Sequence, residues 1–118
     1  MQRTMLKSKI HGAIVTQCDL HYQGSISIDE KLMLAADILP GELVHVLNKN
    51  NAERFETYAI KAKSGSGEIG LNGAAARLAQ LGDELILLAY GQYTPEELNK
   101  YRPIIVLVDK KNRIIRKK

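Results

Sequence analysis

The residues with chemical potential fall in three short stretches. The first is Leu20-His21-Tyr22-Gln23-Gly24-Ser25-Ile26, where a serine directly follows a glycine. Glycine admits backbone dihedrals closed to other residues, and a serine after it can turn its hydroxyl onto the preceding carbonyl. The second is Arg54-Phe55-Glu56-Thr57-Tyr58. Side chains two apart on a strand share a face, so Arg54, Glu56 and Tyr58 project a guanidinium, a carboxylate and a phenol the same way. The third is Leu71-Asn72-Gly73-Ala74-Ala75-Ala76, in which small residues open a helix whose bare N–H groups can hold a carboxylate. Taken singly, each is better explained as structure: a Gly-Ser turn, an exposed strand cation, a core tyrosine with a wet hydroxyl.

Other chemistries lack their residues. The sequence has no GxGxxG, P-loop, HExxH or CxxC motif. His11, His21 and His45 are not at metal-ligand spacing, and no metal site is expected. The lone Cys18 precludes an intrachain disulfide framework. Beside Asp19 its thiolate is disfavoured, so Cys18 reads as a small buried hydrophobe.

Short strands must position these groups. Alternating or apolar runs predict strands over Thr4–Ile10 and Ala13–Thr16 (broken at Gly12), Glu42–Asn48, Arg54–Ala62, Glu68–Leu71, Glu84–Tyr90, Ile104–Asp109 and Arg113–Arg116. Ser64-Gly65-Ser66-Gly67 reads as a flexible loop. Helical signals are fewer: Asp29–Leu39, stopped at Pro40-Gly41; Ala74–Leu81, stopped at Gly82; and Pro95–Tyr101, opened by the capping box Thr94-Pro95-Glu96-Glu97. The pattern implies a mainly β fold, a small barrel decorated by short helices.

At 118 residues the chain fits one domain, 1–118. With 45% hydrophobic and 25% charged residues it has globular composition. No apolar run reaches the ~18 residues of a membrane span, and Lys7 and Lys9 interrupt any signal-peptide core, so the cytoplasm is the expected location. The net charge of +4 is uneven: residues 100–118 hold eight Lys or Arg against Asp109 alone, leaving the preceding residues net acidic. A basic tail, here concentrated in residues 110–118, can attract nucleic acid or an acidic membrane. No aromatic interleaves its charges after Tyr101, which favours a solvated end, with neither membrane nor nucleic acid as partner.

Taken together, the motifs carry a resemblance. Lys9-Ile10-His11, Asp19-Leu20-His21-Tyr22-Gln23-Gly24-Ser25, Arg54-Phe55-Glu56-Thr57-Tyr58 and Asn72-Gly73-Ala74-Ala75-Ala76-Arg77, in this order and spacing, resemble the pyruvoyl-dependent aspartate 1-decarboxylase family from about Met5 to Tyr90. The sequence departs from that pattern at Ala52, where a turn glycine is common, and at Gly70, where a cysteine is common. Neither position touches the chemistry.

The resemblance implies a precursor that cuts itself between Gly24 and Ser25 into chains 1–24 and 25–118. Ser25 Oγ would attack the Gly24 carbonyl, aided by backbone strain at Gly24 and by Thr57 as the hydrogen-bond partner of that carbonyl. The resulting ester would eliminate, and the residue left at position 25 would hydrolyse to a pyruvoyl group. That covalent cofactor would form a Schiff base with L-aspartate and accept electrons as CO₂ leaves, giving β-alanine for pantothenate biosynthesis. The resemblance assigns Tyr58 as proton donor, and Lys9 and Arg54 as holders of the substrate carboxylates. Asn72 would lie beside the cofactor, Gly73, Ala74 and Ala75 would bind substrate through N–H groups, and His11 and Tyr22 would line the pocket. It also implies a six-stranded double-psi β-barrel and a homotetramer with sites between neighbouring subunits. The competing reading is a non-catalytic β-barrel binding module whose basic tail docks nucleic acid or an acidic partner.

Overall fold

The computed structural model describes residues 1–118. Its strands are β1 (Arg3–Ile14), β2 (Gln17–Asp19), β3 (Ser25–Asp29), β4 (Leu43–Asn48), β5 (Arg54–Ala62), β6 (Ile69–Asn72), β7 (Glu84–Tyr93), β8 (Ile104–Val108) and β9 (Ile114–Lys117). Two short α-helices, α1 (Glu30–Ala35) and α2 (Pro95–Leu98), and a 3-10 helix over Gly73–Leu78 complete the fold. The chain is mainly β, as its alternating patterns imply, but it has nine strands where the resemblance implies six. No helix is long and apolar enough to cross a membrane.

The nine strands form one sheet in the order β2-β6-β3-β5-β4-β7-β1-β8-β9. β2 therefore lies six places from β1, yet only Val15 and Thr16 join them. Across a flat sheet six spacings would cover roughly 29 Å, whereas the link reaches only about 10 Å. The sheet must be rolled. Thr16 ties the seam: its N–H donates to Ile69 O at 2.8 Å, and its Oγ1 accepts from the Ile69 N–H at 2.9 Å. Inside lies a cluster of 21 buried residues that includes Ile10, Val44, Val46, Leu87 and Val106. Fully burying each such side chain contributes about 1.5–3 kcal/mol.

Three local features bear on the site. β1 runs unbroken past Gly12, where the pattern predicts a break; a register shift between His11 and Ala13, with Gly12 at φ 96°, absorbs the irregularity as a bulge. β3 has no counterpart among the expected strands, and it is buried on both faces. Ile26 and Ile28 enter the core, while Ser25, Ser27 and Asp29 face partners on the other side. Asp29 also organises Ser64–Gly67, which is tethered rather than loose. Its carboxylate accepts the N–H groups of Gly65 and Gly67 at 2.9 and 2.8 Å, and caps α1 by accepting from the Lys31 N–H. That helix ends at Ala35, short of Leu39, because Asp37 adopts φ 55°. The capping box of α2 forms as the sequence predicts.

Candidate active site

The junction between Gly24 and Ser25 sits where an exposed turn enters buried β3. Gly24 is exposed, whereas Ser25 is only 1% exposed. β3 pairs antiparallel with β6, with Ser25 opposite Asn72, and parallel with β5, with Ile26 opposite Ala59. Thr57 and Tyr58 directly precede Ala59 on β5, so they lie near the end of the ladder where Ser25 precedes Ile26 on β3. The two motifs that the sequence separates by some thirty residues thus meet at the head of one ladder.

Asn72 is the nearest functional group. Only 2% exposed, it directs Nδ2 at Ser25 Oγ (3.0 Å) and at Ser27 Oγ (3.0 Å). It precedes the 3-10 helix but makes no side-chain cap there, since its amide is turned to the serines. The first N–H groups of Gly73, Ala74 and Ala75 are thus left without a side-chain acceptor. Ser25 Oγ donates weakly to the Gln23 carbonyl at 3.4 Å, one residue upstream of the bond in question. Ser27 is absent from the sequence-derived site; its signal was the alternation Ser25-Ile26-Ser27-Ile28, which puts both hydroxyls on one strand face.

Gly73 does something the sequence does not announce. It holds φ 63°, and a Cβ built on it would stand 2.7 Å from Gly24 Cα, 2.8 Å from Gly24 N and 3.0 Å from Tyr22 O. A bare backbone at Gly73 lets the Gly24 segment pack against the start of the 3-10 helix. Gly24 itself is not in the left-handed region, so the strain expected there is not found. No side-chain hydrogen bond joins Thr57 to Gly24; Thr57 is half-buried on β5.

The remaining candidates make no side-chain hydrogen bond to Ser25 or Asn72. Arg54, Glu56 and Tyr58 share the exposed outer face of β5, Tyr58 at 41% exposure, as alternation predicts. Arg54 borders a depression with Leu47, Ala52 and Ile86. Lys9 and His11 lie on β1, four places from β3 in the sheet, and His11 borders another depression with Glu84 and Leu107. Tyr22 is 54% exposed in the turn before Gly24. One chain joins Gly24, Ser25, Asn72 and Gly73 directly, with Thr57 and Tyr58 on the adjacent β5 and Lys9 and His11 on β1.

No group of three or more His, Cys, Asp or Glu side chains is arranged to hold a metal ion. Cys18 is half-buried, with Sγ 3.6 Å from Ala79 O. Burial, and then the charge of Asp83, push its thiol pKa up, so it stays protonated and inert.

Residues 1–115 match the aspartate decarboxylase family. The chain belongs to that family. It is 56% identical over 117 residues to the aspartate 1-decarboxylase of Maricaulis maris, covering 99% of this chain and 97% of that one. It is 57% identical over 113 residues to that of Thermoanaerobacter pseudethanolicus (96% and 97%) and 59% identical over 112 residues to that of Herminiimonas arsenicoxydans (95% and 94%). Membership in the aspartate decarboxylase family gives the buried Ser25 and the bare Gly73 a chemical context.

Proposed function

We propose that this protein is a pyruvoyl-dependent aspartate 1-decarboxylase. It converts L-aspartate to β-alanine and CO₂ for pantothenate biosynthesis, after cutting itself between Gly24 and Ser25 into chains 1–24 and 25–118. The observation that carries the reading is the Gly24–Ser25 junction itself. A buried serine hydroxyl follows an exposed glycine, takes a hydrogen bond from Asn72 at 3.0 Å, and is backed by a glycine whose missing side chain admits the junction.

These residues suit a pyruvoyl group. Position 25 is enclosed, reached by a neutral amide donor, and free of charged neighbours in hydrogen-bond contact. A ketone held there supplies an electron sink for an amine-bearing substrate that loses CO₂. Around it, Thr57 is the donor to the Gly24 carbonyl during cleavage, and Tyr58 gives its phenolic proton to the substrate carbon that carried the carboxylate. Arg54 and Lys9 hold the two carboxylates of the substrate, one by a guanidinium fork and one by an ammonium. The N–H groups of Gly73, Ala74 and Ala75 supply neutral donors, while His11 and Tyr22 close the pocket.

The assembly we assign is a homotetramer with each site between neighbouring subunits, as the family resemblance implies. Exposed Leu34, Leu39, Leu43 and Leu81 supply apolar surface for such contacts. Within the sheet we assign β6, β3, β5, β4, β7 and β1, which are consecutive, to a six-stranded double-psi barrel flanked by β2, β8 and β9.

Intact-mass measurement tests the reading. Two fragments, the larger carrying a pyruvoyl terminus, together with CO₂ released from L-aspartate, are the expected result. An uncut Ser25→Ala variant should release none. A wild-type chain that stays whole through prolonged incubation would overturn the assignment.

A further inference from the structure

Ser27 has no place in the chemistry described so far, yet it shares the amide that touches Ser25. Asn72 has one Nδ2 with two hydrogens, and both are engaged: one at Ser25 Oγ and one at Ser27 Oγ, each at 3.0 Å. The group is planar, so fixing one N–H fixes the direction of the other. Ser27 is 5% exposed and stands two residues along β3 from Ser25, on the same face. In this enclosed setting the Ser27 hydroxyl holds the amide plane that aims the second N–H at Ser25.

We propose that Ser27 is a positioning residue for self-cleavage, acting through Asn72 on the elimination step. The proposal rests on the self-cleaving function proposed above. After the acyl shift, Ser25 Oγ is the alkoxy oxygen of an ester to the Gly24 carbonyl, and the Ser25 nitrogen is a free amine. Elimination removes the Ser25 Hα as a proton, and the C–H electron pair forms the Cα=Cβ bond. The Cβ–Oγ bond breaks, and Oγ departs on the Gly24 carboxylate. Water then adds at Cα and ammonia leaves, which gives the pyruvoyl ketone. Negative charge grows on Oγ only as the Cβ–Oγ bond breaks, so a donor held on that oxygen favours the elimination more than the acyl shift before it. Ser27 keeps the donor there.

The test reads the partition between ester and product. Freshly purified chain is incubated, sampled over time with and without hydroxylamine, and analysed by intact mass. Hydroxylamine cuts the ester, leaving a 1–24 hydroxamate and a 25–118 chain with an N-terminal serine, whereas finished protein shows the pyruvoyl terminus without hydroxylamine and its oxime with it. Ser27→Ala should accumulate the hydroxylamine-sensitive species and form pyruvoyl about tenfold more slowly, the size expected when one hydrogen bond's orientation is lost. Ser27→Thr keeps the hydroxyl and should mature at close to the wild-type rate. If Ser27→Ala matures like wild type with no ester build-up, or if Ser27→Thr is as slow as Ser27→Ala, the positioning role is wrong while the enzyme assignment stands. A wild-type chain that yields neither ester nor pyruvoyl refutes the enzyme assignment instead.

Discussion

Tyr58 and Gly73 flank the same junction but do different work, and single substitutions separate them. Tyr58 projects from the outer face of β5 with its hydroxyl unpaired to the cleavage groups, so Tyr58→Phe should leave self-cleavage intact. It should lower kcat for decarboxylation about 10²-fold, the usual contribution of a positioned proton donor; cleavage lost alongside would mean the phenol was misassigned. Gly73→Ala should do the reverse. Its Cβ would meet Gly24 Cα at 2.7 Å in a conformation that already strains an L-residue, and displacing the junction by even part of that overlap should slow pyruvoyl formation tenfold or more, about 1–3 kcal/mol. Gel analysis of fragment appearance checks both. The types of these residues were legible in the sequence; the contact between Gly73 and Gly24 was not, because it depends on a φ of 63° that a glycine permits but does not dictate.

The strands predicted from alternating or apolar runs, β4 through β9, fall within a few residues of their observed bounds, and β4 and β5 show the expected alternation of buried and more exposed residues. β3 escaped that logic. Its polar residues are as buried as its isoleucines, being satisfied by Asn72 and by the N–H groups of a distant loop, partners that no local pattern reveals. The turn between β4 and β5 carries a cost that can be read directly. Ala52 sits at φ 63°, in the left-handed region that penalises a Cβ, at the position where the resemblance sets a glycine. Ala52→Gly should raise stability by about 1 kcal/mol, seen as a higher melting temperature, with a lower one contradicting the strain. The β8–β9 hairpin makes a pH prediction. Asp109 accepts the N–H groups of Lys111 and Arg113 at 2.8 and 3.0 Å, first the latter and then the former holding its carboxyl below the usual value of 3.8. A lowered folded-state pKa contributes stability above the unfolded value that is lost as pH falls through the lowered one. Hydrogen exchange at the Lys111 and Arg113 amides should therefore be protected near neutral pH and lose that excess protection as pH falls below the usual carboxylate value of 3.8, and Asp109→Asn should remove the pH dependence.

Cutting at Gly24 would leave β1 and β2 on one fragment and every other strand on the other. The fragments would stay together because β1 pairs with both β7 and β8, and β2 with β6, so the rolled sheet would outlast a covalent break there. Lys9 and His11 belong to the short fragment and point outward from β1, since Ile10 between them is wholly buried. Ser25 opens the long fragment four strands away. In the proposed tetramer a neighbour's β1 laid across the head of β3 would supply the cation that meets the substrate carboxylate. Complementation decides whether it does. Lys9→Ala keeps its own Ser25 but lacks the carboxylate holder; Ser25→Ala keeps Lys9 but makes no pyruvoyl. Each alone should be nearly inactive on L-aspartate. Co-expressed so that mixed oligomers form, they should restore activity wherever a Ser25 from one chain faces a Lys9 from the other, at most about a quarter of the wild-type sites on random mixing. Mixed oligomers that form, mature at their intact Ser25 and still fail to decarboxylate would mean that each chain builds its site alone.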